Sequence, residues 1–527
     1  MSSRSRRVNR GKRQSSVYAN TLGDEGVLYI HPAKQGIDVN FDEQAGRFYG
    51  LIPVGVPALI NMLRLNEIEV RGLSYPHERQ LNPAFNLKNW LKAHHGARVV
   101  LIDLHWYEHC YGAISVARAV REALPDAWIV IGGLTASGFS SEILANFTEV
   151  DFIIRGDAEL PLLTLVKQLL KVSRRLSNQL SLHDIPNLSF REGERIVENA
   201  MTYTATTAEL DALNFADLNF LEHQNEYCVN EYIVTDLQAA LQALGTKPFR
   251  GRWLCSARGC HFECSYCGGC NSAHKRLAGR SRLVIRSPAR IVDELRCLEE
   301  VGVLQASLSY DIAEMGDTYW QEFFKDMKDN DVHIGLYNEF FQLPTPDFIE
   351  AFVKCVDMAH SCVALSPLSG SETVRHLNGK HFSNIDLFDT LALLNQYNAN
   401  VFIYFSMNLP GEDKQAFQET LELARDISYF YPAKLLKIFN TFHTLDPFSP
   451  MALNPDKYNI QINYSSFMDY YNYCRDTQFA SNDARIGLRR GFDLTDPNAR
   501  SLKAMADAWD LECLGKENSW RPVPPKW

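Results

Sequence analysis

Apolar residues in this chain fall in short unbroken runs, separated by stretches with helical spacing. From about residue 27, Val27–Ile30 predicts a buried strand, Pro53–Leu65 a helix and Glu69–Leu73 a second strand. Arg98–Asp103 (RVVLID) predicts a third strand, and Tyr111–Leu124 carries helical apolar spacing. Trp128–Ile131 predicts a fourth strand running into Gly132-Gly133. Asp151–Ile154 predicts a fifth, followed by a helix near Leu160–Leu170. Strands that are apolar along their whole length and alternate with helices are buried on both faces, which predicts an α/β, doubly wound parallel sheet. Such sheets bind ligands beyond the carboxyl ends of their strands. Here those ends are His31-Pro32, Asp103-Leu104-His105, Gly132-Gly133-Leu134-Thr135 and Arg155-Gly156-Asp157.

A second strand–helix series starts near Gly251. Strands are expected at Ala306–Ser309, His333–Tyr337, Val363–Leu365, Val401–Phe405 and Leu435–Phe439, with helices between them. This order predicts a full or partial (β/α) barrel. Asn187–Phe190 and Arg195–Val197 predict a small hairpin. The expected organisation is a polar basic tail over 1–24, a first domain over 25–180 and a connector with the hairpin over 181–250. The second α/β domain follows over 251–445, and a mostly helical, aromatic-rich C-terminal region over 446–527.

Composition narrows the class. The 527 residues exceed what one core accommodates, and 46% apolar with 22% charged residues is ordinary for a globular protein. No apolar run is long enough for a membrane span or a signal peptide, so the cytoplasm is the expected location. The tail carries Arg4, Arg6, Arg7, Arg10, Lys12 and Arg13 and reads as a solvated arm, with an anionic partner as the alternative. The net charge of −10 argues against a dominant nucleic-acid surface.

Twelve cysteines in a chain this long do not make a disulfide scaffold. Seven are scattered and read as small core residues. Five crowd into one segment: Cys255, Cys260, Cys264, Cys267 and Cys270. Within it, Cys260-x3-Cys264-x2-Cys267 suits one iron–sulfur cube, whose ligands are thiolates. Three cysteines leave one iron open for a substrate or cofactor. A structural zinc site is the alternative, with Cys255 or Cys270 as a fourth ligand. Those two flanking cysteines could also serve an auxiliary cluster or be buried thiols. Tyr266 precedes the last ligand, and Gly268 and Gly269 follow it, where glycine lets backbone approach a ligand closely.

The segment Arg258-Gly-Cys260-x-Phe-x-Cys264-x-Tyr-Cys267 resembles the radical S-adenosylmethionine (SAM) superfamily, in the branch with an N-terminal cobalamin-binding domain. Later segments fall where that family has its own. Ser309-Tyr-Asp311 ends a strand where an acidic SAM contact is usual. Ser366-Pro-Leu-Ser369-Gly-Ser371, Arg375 and Asn378-Gly-Lys380 resemble the fourth-strand segment. Asn408-Leu-Pro-Gly-Glu412 resembles the segment after the fifth strand, with Asn408 where Gly is usual. The resemblance implies a 4Fe–4S cluster on Cys260, Cys264 and Cys267. It implies SAM contacts at Tyr266, Gly268, Gly269, Asp311, Ser366, Ser369, Arg375 and Asn408.

Residues 25–180 resemble the attached cobalamin-binding Rossmann-like domains in strand order, in Pro53-Val-Gly55 and in Arg155-Gly-Asp-Ala-Glu159. That implies a cobalamin edge at Asp103, Leu104, His105, Gly132, Gly133, Thr135 and Gly156. Asp103-Leu-His105 looks like the Asp-x-His-x-x-Gly motif of cobalt-ligating domains, but Glu108 replaces its glycine and it follows the third strand rather than the first. A contact to the nucleotide tail is therefore expected there, while the loop from His31 would lie nearer the lower face of the corrin.

The implied activity is a cobalamin-dependent C-methyltransferase acting through a 5′-deoxyadenosyl radical and methylcobalamin. Its substrate would be a small molecule or peptide, and a flavodoxin or ferredoxin would supply electrons. Alternatives are a radical cyclisation or rearrangement, a first domain that no longer binds cobalamin, methylthiolation of tRNA or protein, and a non-enzymatic cofactor sensor. No catalytic residue is assigned from the sequence.

Overall fold

A computed structural model describes residues 26–37, 50–233, 248–478 and 491–516; the basic tail over 1–24 lies outside the described residues. The first sheet has seven strands: Val27–His31 (β1), Val70–Ser74 (β2), Val99–Asp103 (β3), Trp128–Gly132 (β4), Phe152–Ile154 (β5), Leu188–Glu192 (β6) and Arg195–Glu198 (β7). Their spatial order is β2-β1-β3-β4-β5-β6-β7. The first five are parallel, with Val27 beside both Val70 and Val99 and Asp103 beside Gly132. The hairpin of β6 and β7 adds antiparallel to β5, Phe152 facing Phe190, so part of the expected connector completes this sheet.

Side chains alternate between two cores, as a period of two requires. Val99, Leu101 and Val130 point to the face covered by Val56–Leu65 (α1). Val100, Ile102 and Ile131 point to the face covered by Cys110–Ala123 (α2). The order reverses between β1 and β3, and the crevice at such a switch point is where open sheets bind ligands.

The second sheet is formed by Gly251–Leu254 (β8), Gln305–Leu308 (β11), Gly335–Phe340 (β12), Cys362–Leu368 (β13), Val401–Met407 (β14) and Leu436–Phe442 (β15). Between β8 and β11 the short strands Ala257–Arg258 (β9) and Val284–Ile285 (β10) pair with each other. The six strands run parallel in sequential order, β8 to β15, with helices such as Pro288–Glu300 and Asp317–Asp329 in the crossovers. This is a partial barrel, open between β8 and β15.

The C-terminal region returns to the first domain. Phe467–Thr477, a helix capped by Ser466 and Asp469, lays its aromatic face on α2 and its neighbours. Tyr470 meets Tyr107 at 5.1 Å, and Tyr471 meets Phe147 at 5.2 Å. Ile460–Ile462 (β16) and Phe492–Leu494 (β17) form a small antiparallel pair. Among the described residues, no helix is long and apolar enough to cross a membrane.

Candidate active site

The carboxyl ends of the two sheets face one cavity of about 590 Å³. From the first sheet it is walled by Asp103, His105, Gly132, Gly133 and Gly156. From the second it is walled by Trp253, Cys255, Cys260, Cys267, Gly269, His274, Ser309, Tyr310 and Phe341.

Cys260, Cys264 and Cys267 sit half-buried on the loop after β9. The loop is tightly wound: the Cys267 amide donates to the Cys264 carbonyl at 3.1 Å, and the Asn271 amide to the Phe262 carbonyl at 2.9 Å. Two amides point at sulfur, Phe262 to Cys260 Sγ at 3.4 Å and Gly269 to Cys267 Sγ at 3.3 Å. Burial holds all three thiols above their ordinary value, and the donors aimed at sulfur oppose it, favouring the thiolate that binds iron. Gly379 has φ +92° and lies so close that a Cβ there would stand 3.0 Å from the Cys264 Cα. Cys255 and Cys270 are 1% exposed, and burial pushes the Cys270 thiol up to about 11. Cys270 meets Ser272, and Cys255 meets the Ala257 carbonyl.

The paired glycines differ in role. Gly269 lines the cavity. Gly268 faces away: its amide donates to Asp446 Oδ2 at 2.8 Å, and a Cβ would stand 2.6 Å from the Pro447 carbonyl oxygen. Gly268 is therefore a packing glycine, and of the pair expected near SAM it is Gly269 that lines the cavity. Tyr266 packs edge-on against His443 with ring centroids 4.2 Å apart.

Asp311 does not offer a free carboxylate. Its oxygens accept from the amides of Ala313 and Phe341 at 3.0 and 2.8 Å, and burial raises its pKa to about 7. Arg375 is completely buried, with its guanidinium on the carbonyls of Pro367, Ser369 and Phe382. Ser369 is buried beneath it, bonded to Thr420. Asp311, Arg375 and Ser369 shape the loops rather than line the cavity. Ser366 is half-buried on β13. Asn408 has φ +66°, a left-handed conformation that Asn tolerates, so it reproduces the backbone that a glycine would give. Its amide donates to Glu412 Oε2 at 2.8 Å.

On the first sheet, Asp103 accepts from Tyr29 Oη at 2.7 Å and meets His31 Nδ1 at 3.0 Å. Burial pushes the Asp103 carboxyl up, but His31, His109 and Tyr29 together outweigh it and leave it below the usual range. His31 is itself fully buried and does not line the cavity. His105 does, and burial lowers its pKa to about 4, so it is neutral at pH 7. Thr135 is buried, with its hydroxyl on the His105 carbonyl at 2.9 Å, so it fixes that loop. Leu104 is also fully buried, in the core. Gly133, at φ +119°, is pressed against Leu104: a Cβ would stand 2.6 Å from its carbonyl.

Some residues at the cavity and its rim had no role in the sequence reading. Asn271–Ala278 (α3), the helix after the cysteine loop, presents His274, also lowered to about 4 by burial. Asp157 and Glu159 of the first domain pair with Arg258 and Arg280 of the second across the cavity rim. A Cβ on Gly156 would stand 2.8 Å from Ala278 Cα, which marks how closely the domains approach. Arg258 carried a signal through the cysteine motif, and Asp157 and Glu159 through Arg155-Gly-Asp-Ala-Glu159; His274 and Arg280 carried none.

A radical SAM superfamily model matches residues 254–424. The chain is 22% identical over 321 residues to an anaerobic magnesium-protoporphyrin IX monomethyl ester cyclase of Cereibacter sphaeroides, covering 60% of this chain and 47% of that protein. It thus spans about half the length of that curated relative. Its fold is similar to that of the radical SAM methyltransferase TsrM of Kitasatospora setae. With tryptophan and a SAM analogue bound, TsrM gives a TM-score of 0.60 at 12% identity, covering 84% of this chain and 79% of the other. With cobalamin and a 4Fe–4S cluster bound, it gives 0.56 at 14% identity, covering 84% and 81%. Residues 254–424 thus match the radical SAM superfamily, and the chain as a whole shares the two-sheet fold of TsrM.

Proposed function

We propose that this chain is a cobalamin-dependent radical SAM enzyme that methylates an unactivated carbon of a small molecule or peptide. The observation that carries this reading is the single cavity that joins His105, Gly132 and Gly133 to Cys260 and Cys267. Its residues fit the implied groups. Three thiols with amides aimed at two of them are the donor set of a 4Fe–4S cube. His274 Nδ1 and Arg280 Nη1 are buried without a partner among the described residues, and both residues line the cavity, as a polar-edged cofactor would require.

When bound, the cluster with SAM supplies a 5′-deoxyadenosyl radical for hydrogen abstraction, and cobalamin supplies a methyl group. Cys260, Cys264 and Cys267 would hold the cluster, with Tyr266, Gly269, Ser366 and Asn408 nearest to SAM. Gly132, Gly133, Gly156 and the Asp103–His105 edge would face cobalamin. Trp253, Tyr310 and Phe341 make an apolar wall that keeps water from a reactive carbon. The pairs of Asp157 and Glu159 with Arg258 and Arg280 hold the two walls in one geometry, which is what positioning of two reactants needs.

A second reading, radical cyclisation, is favoured by the likeness to the Cereibacter sphaeroides cyclase. The test is cobalt per chain in anaerobically purified, cluster-reconstituted protein, with S-adenosylhomocysteine measured on turnover. Near-stoichiometric cobalt with S-adenosylhomocysteine supports methylation. Cobalt without S-adenosylhomocysteine supports cyclisation. Negligible cobalt beside a full cluster defeats both and makes the first domain a docking or substrate module.

A further inference from the structure

The surface beside the cysteine loop carries charge of the opposite sign to the chain as a whole. Helix α3 starts from the N-cap Cys270, three residues past Cys267. Ala273, Leu277 and Ala278 are buried, while Ser272, Lys275, Arg276 and the C-cap Gly279 form an exposed stripe at i, i+3, i+4 and i+7. Three residues beyond Gly279, Arg282 is also exposed. The Arg276 guanidinium lies over the Phe448 ring at 5.5 Å, a contact that holds the charged head in place without neutralising it. Among the described residues, none of Lys275, Arg276 and Arg282 has a carboxylate partner. Several exposed cations on other helices are neutralised one turn away, Arg296 by Glu300, Lys325 by Asp329 and Lys354 by Glu350, and those left unpaired among the described residues, such as Lys92, Lys328 and Lys414, do not adjoin the cysteine loop in sequence. The nearest acid along the chain, Glu263, is committed to the other end of α3, where it accepts from the Ser272 amide and hydroxyl at 2.8 Å.

Resting on the cluster reading above, we infer that the outer face of α3, with Lys275, Arg276 and Arg282, is the docking surface for a protein electron carrier with an acidic face. The helix is continuous with the loop that carries Cys260, Cys264 and Cys267, so a carrier seated there lies beside the group it must reduce. One electron leaves the carrier and one enters the cluster; no bond or proton moves. In a chain of net charge −10, an unneutralised cationic stripe both steers an acidic partner to this face and excludes it from the rest.

The experiment uses the full chain with its reconstituted cluster and follows anaerobic cluster reduction by reduced flavodoxin and, separately, by dithionite. Lys275→Glu, Arg276→Glu and Arg282→Glu combined should slow reduction by flavodoxin by about tenfold or more at low salt, the scale of electrostatic steering. The wild-type rate should fall with added salt, the variant's should not, and reduction by dithionite should be equal in both. Substitution of all three by Gln should give an intermediate rate. Equal flavodoxin rates in variant and wild type overturn the assignment. Equal slowing by both reductants overturns it too, since the change would lie in the cluster. Retention of tRNA by the wild type alone, with flavodoxin reduction unaltered, would assign the face to RNA. Failure of the wild type to hold any cluster would defeat the radical SAM reading itself.

Discussion

The backbone amide of Gly268 donates to the carboxylate of Asp446, 178 residues further along the chain, at 2.8 Å. The same loop returns a second bond, from the Met451 amide to the Ser265 carbonyl at 2.9 Å. The cysteine loop is thus gripped on either side of Tyr266 by the segment that follows β15.

Gly268→Ala should loosen that grip, because its Cβ would stand 2.6 Å from the Pro447 carbonyl oxygen and 2.9 Å from Asp446 Oδ1. At Gly269 the nearest atom to an added Cβ is Cys267 Sγ at 3.7 Å, ordinary contact. Iron and sulfide per chain after reconstitution should fall in Gly268→Ala and hold in Gly269→Ala. Equal iron in both would remove any role for the Asp446 contact in holding the cluster.

Single substitution of Cys260, Cys264 or Cys267 by Ala should abolish the visible absorption of the cluster. Cys255→Ala and Cys270→Ala should keep full iron, since each thiol is buried against its own neighbours. Loss of iron in either of the latter would point to a fourth protein ligand.

Arg252 and Glu231 form a buried pair at 2.8 Å, 1% and 0% exposed, that ties the start of β8 to the preceding segment. Arg252→Met should destabilise the fold by about 3–5 kcal/mol, because it leaves a buried carboxylate without its partner. Denaturant midpoints would read this, and the double variant Arg252→Met, Glu231→Leu should recover most of the loss.

Burial raises the Glu412 carboxyl from its ordinary 4.5 to about 8, against the opposing effect of the Asn408 and Leu409 amides. The folded protein then binds a proton that the unfolded chain releases, so stability is full below about 4.5 and falls as pH rises towards about 8. Glu412→Gln keeps an oxygen for those amides and removes the titration. Its unfolding midpoint should fall less than that of the wild type across this window. Parallel curves would show that another group carries the dependence.

What the sequence disclosed follows the range of the forces involved. Arg98–Asp103 was legible as a strand because a run apolar on both faces fits only a sheet buried on both sides. The three cysteines were legible because their spacing lies within one loop. Pairings across the chain left no such mark. Nothing near Gly156 announces Ala278, and nothing near Gly268 announces Asp446. Asp311 and Arg375 were chosen by position in a motif, yet the sequence does not say towards which side of a loop a side chain turns. Both turn inward, where backbone amides and carbonyls occupy them. The hairpin of β6 and β7 was visible, but its partner β5 was not, since an antiparallel edge added to a parallel sheet leaves no local trace.

The helix Phe467–Thr477 has a consequence in time. It is translated after both sheets are complete, and its aromatic face fastens onto α2 while Tyr470 Oη donates to the Leu445 carbonyl just after β15. A nascent chain can therefore fold its two halves before the fastening exists. Until Tyr470 reaches Tyr107, the halves are joined by fewer contacts, and the interval between the two events is a window in which bulky guests could enter a still unlatched enclosure.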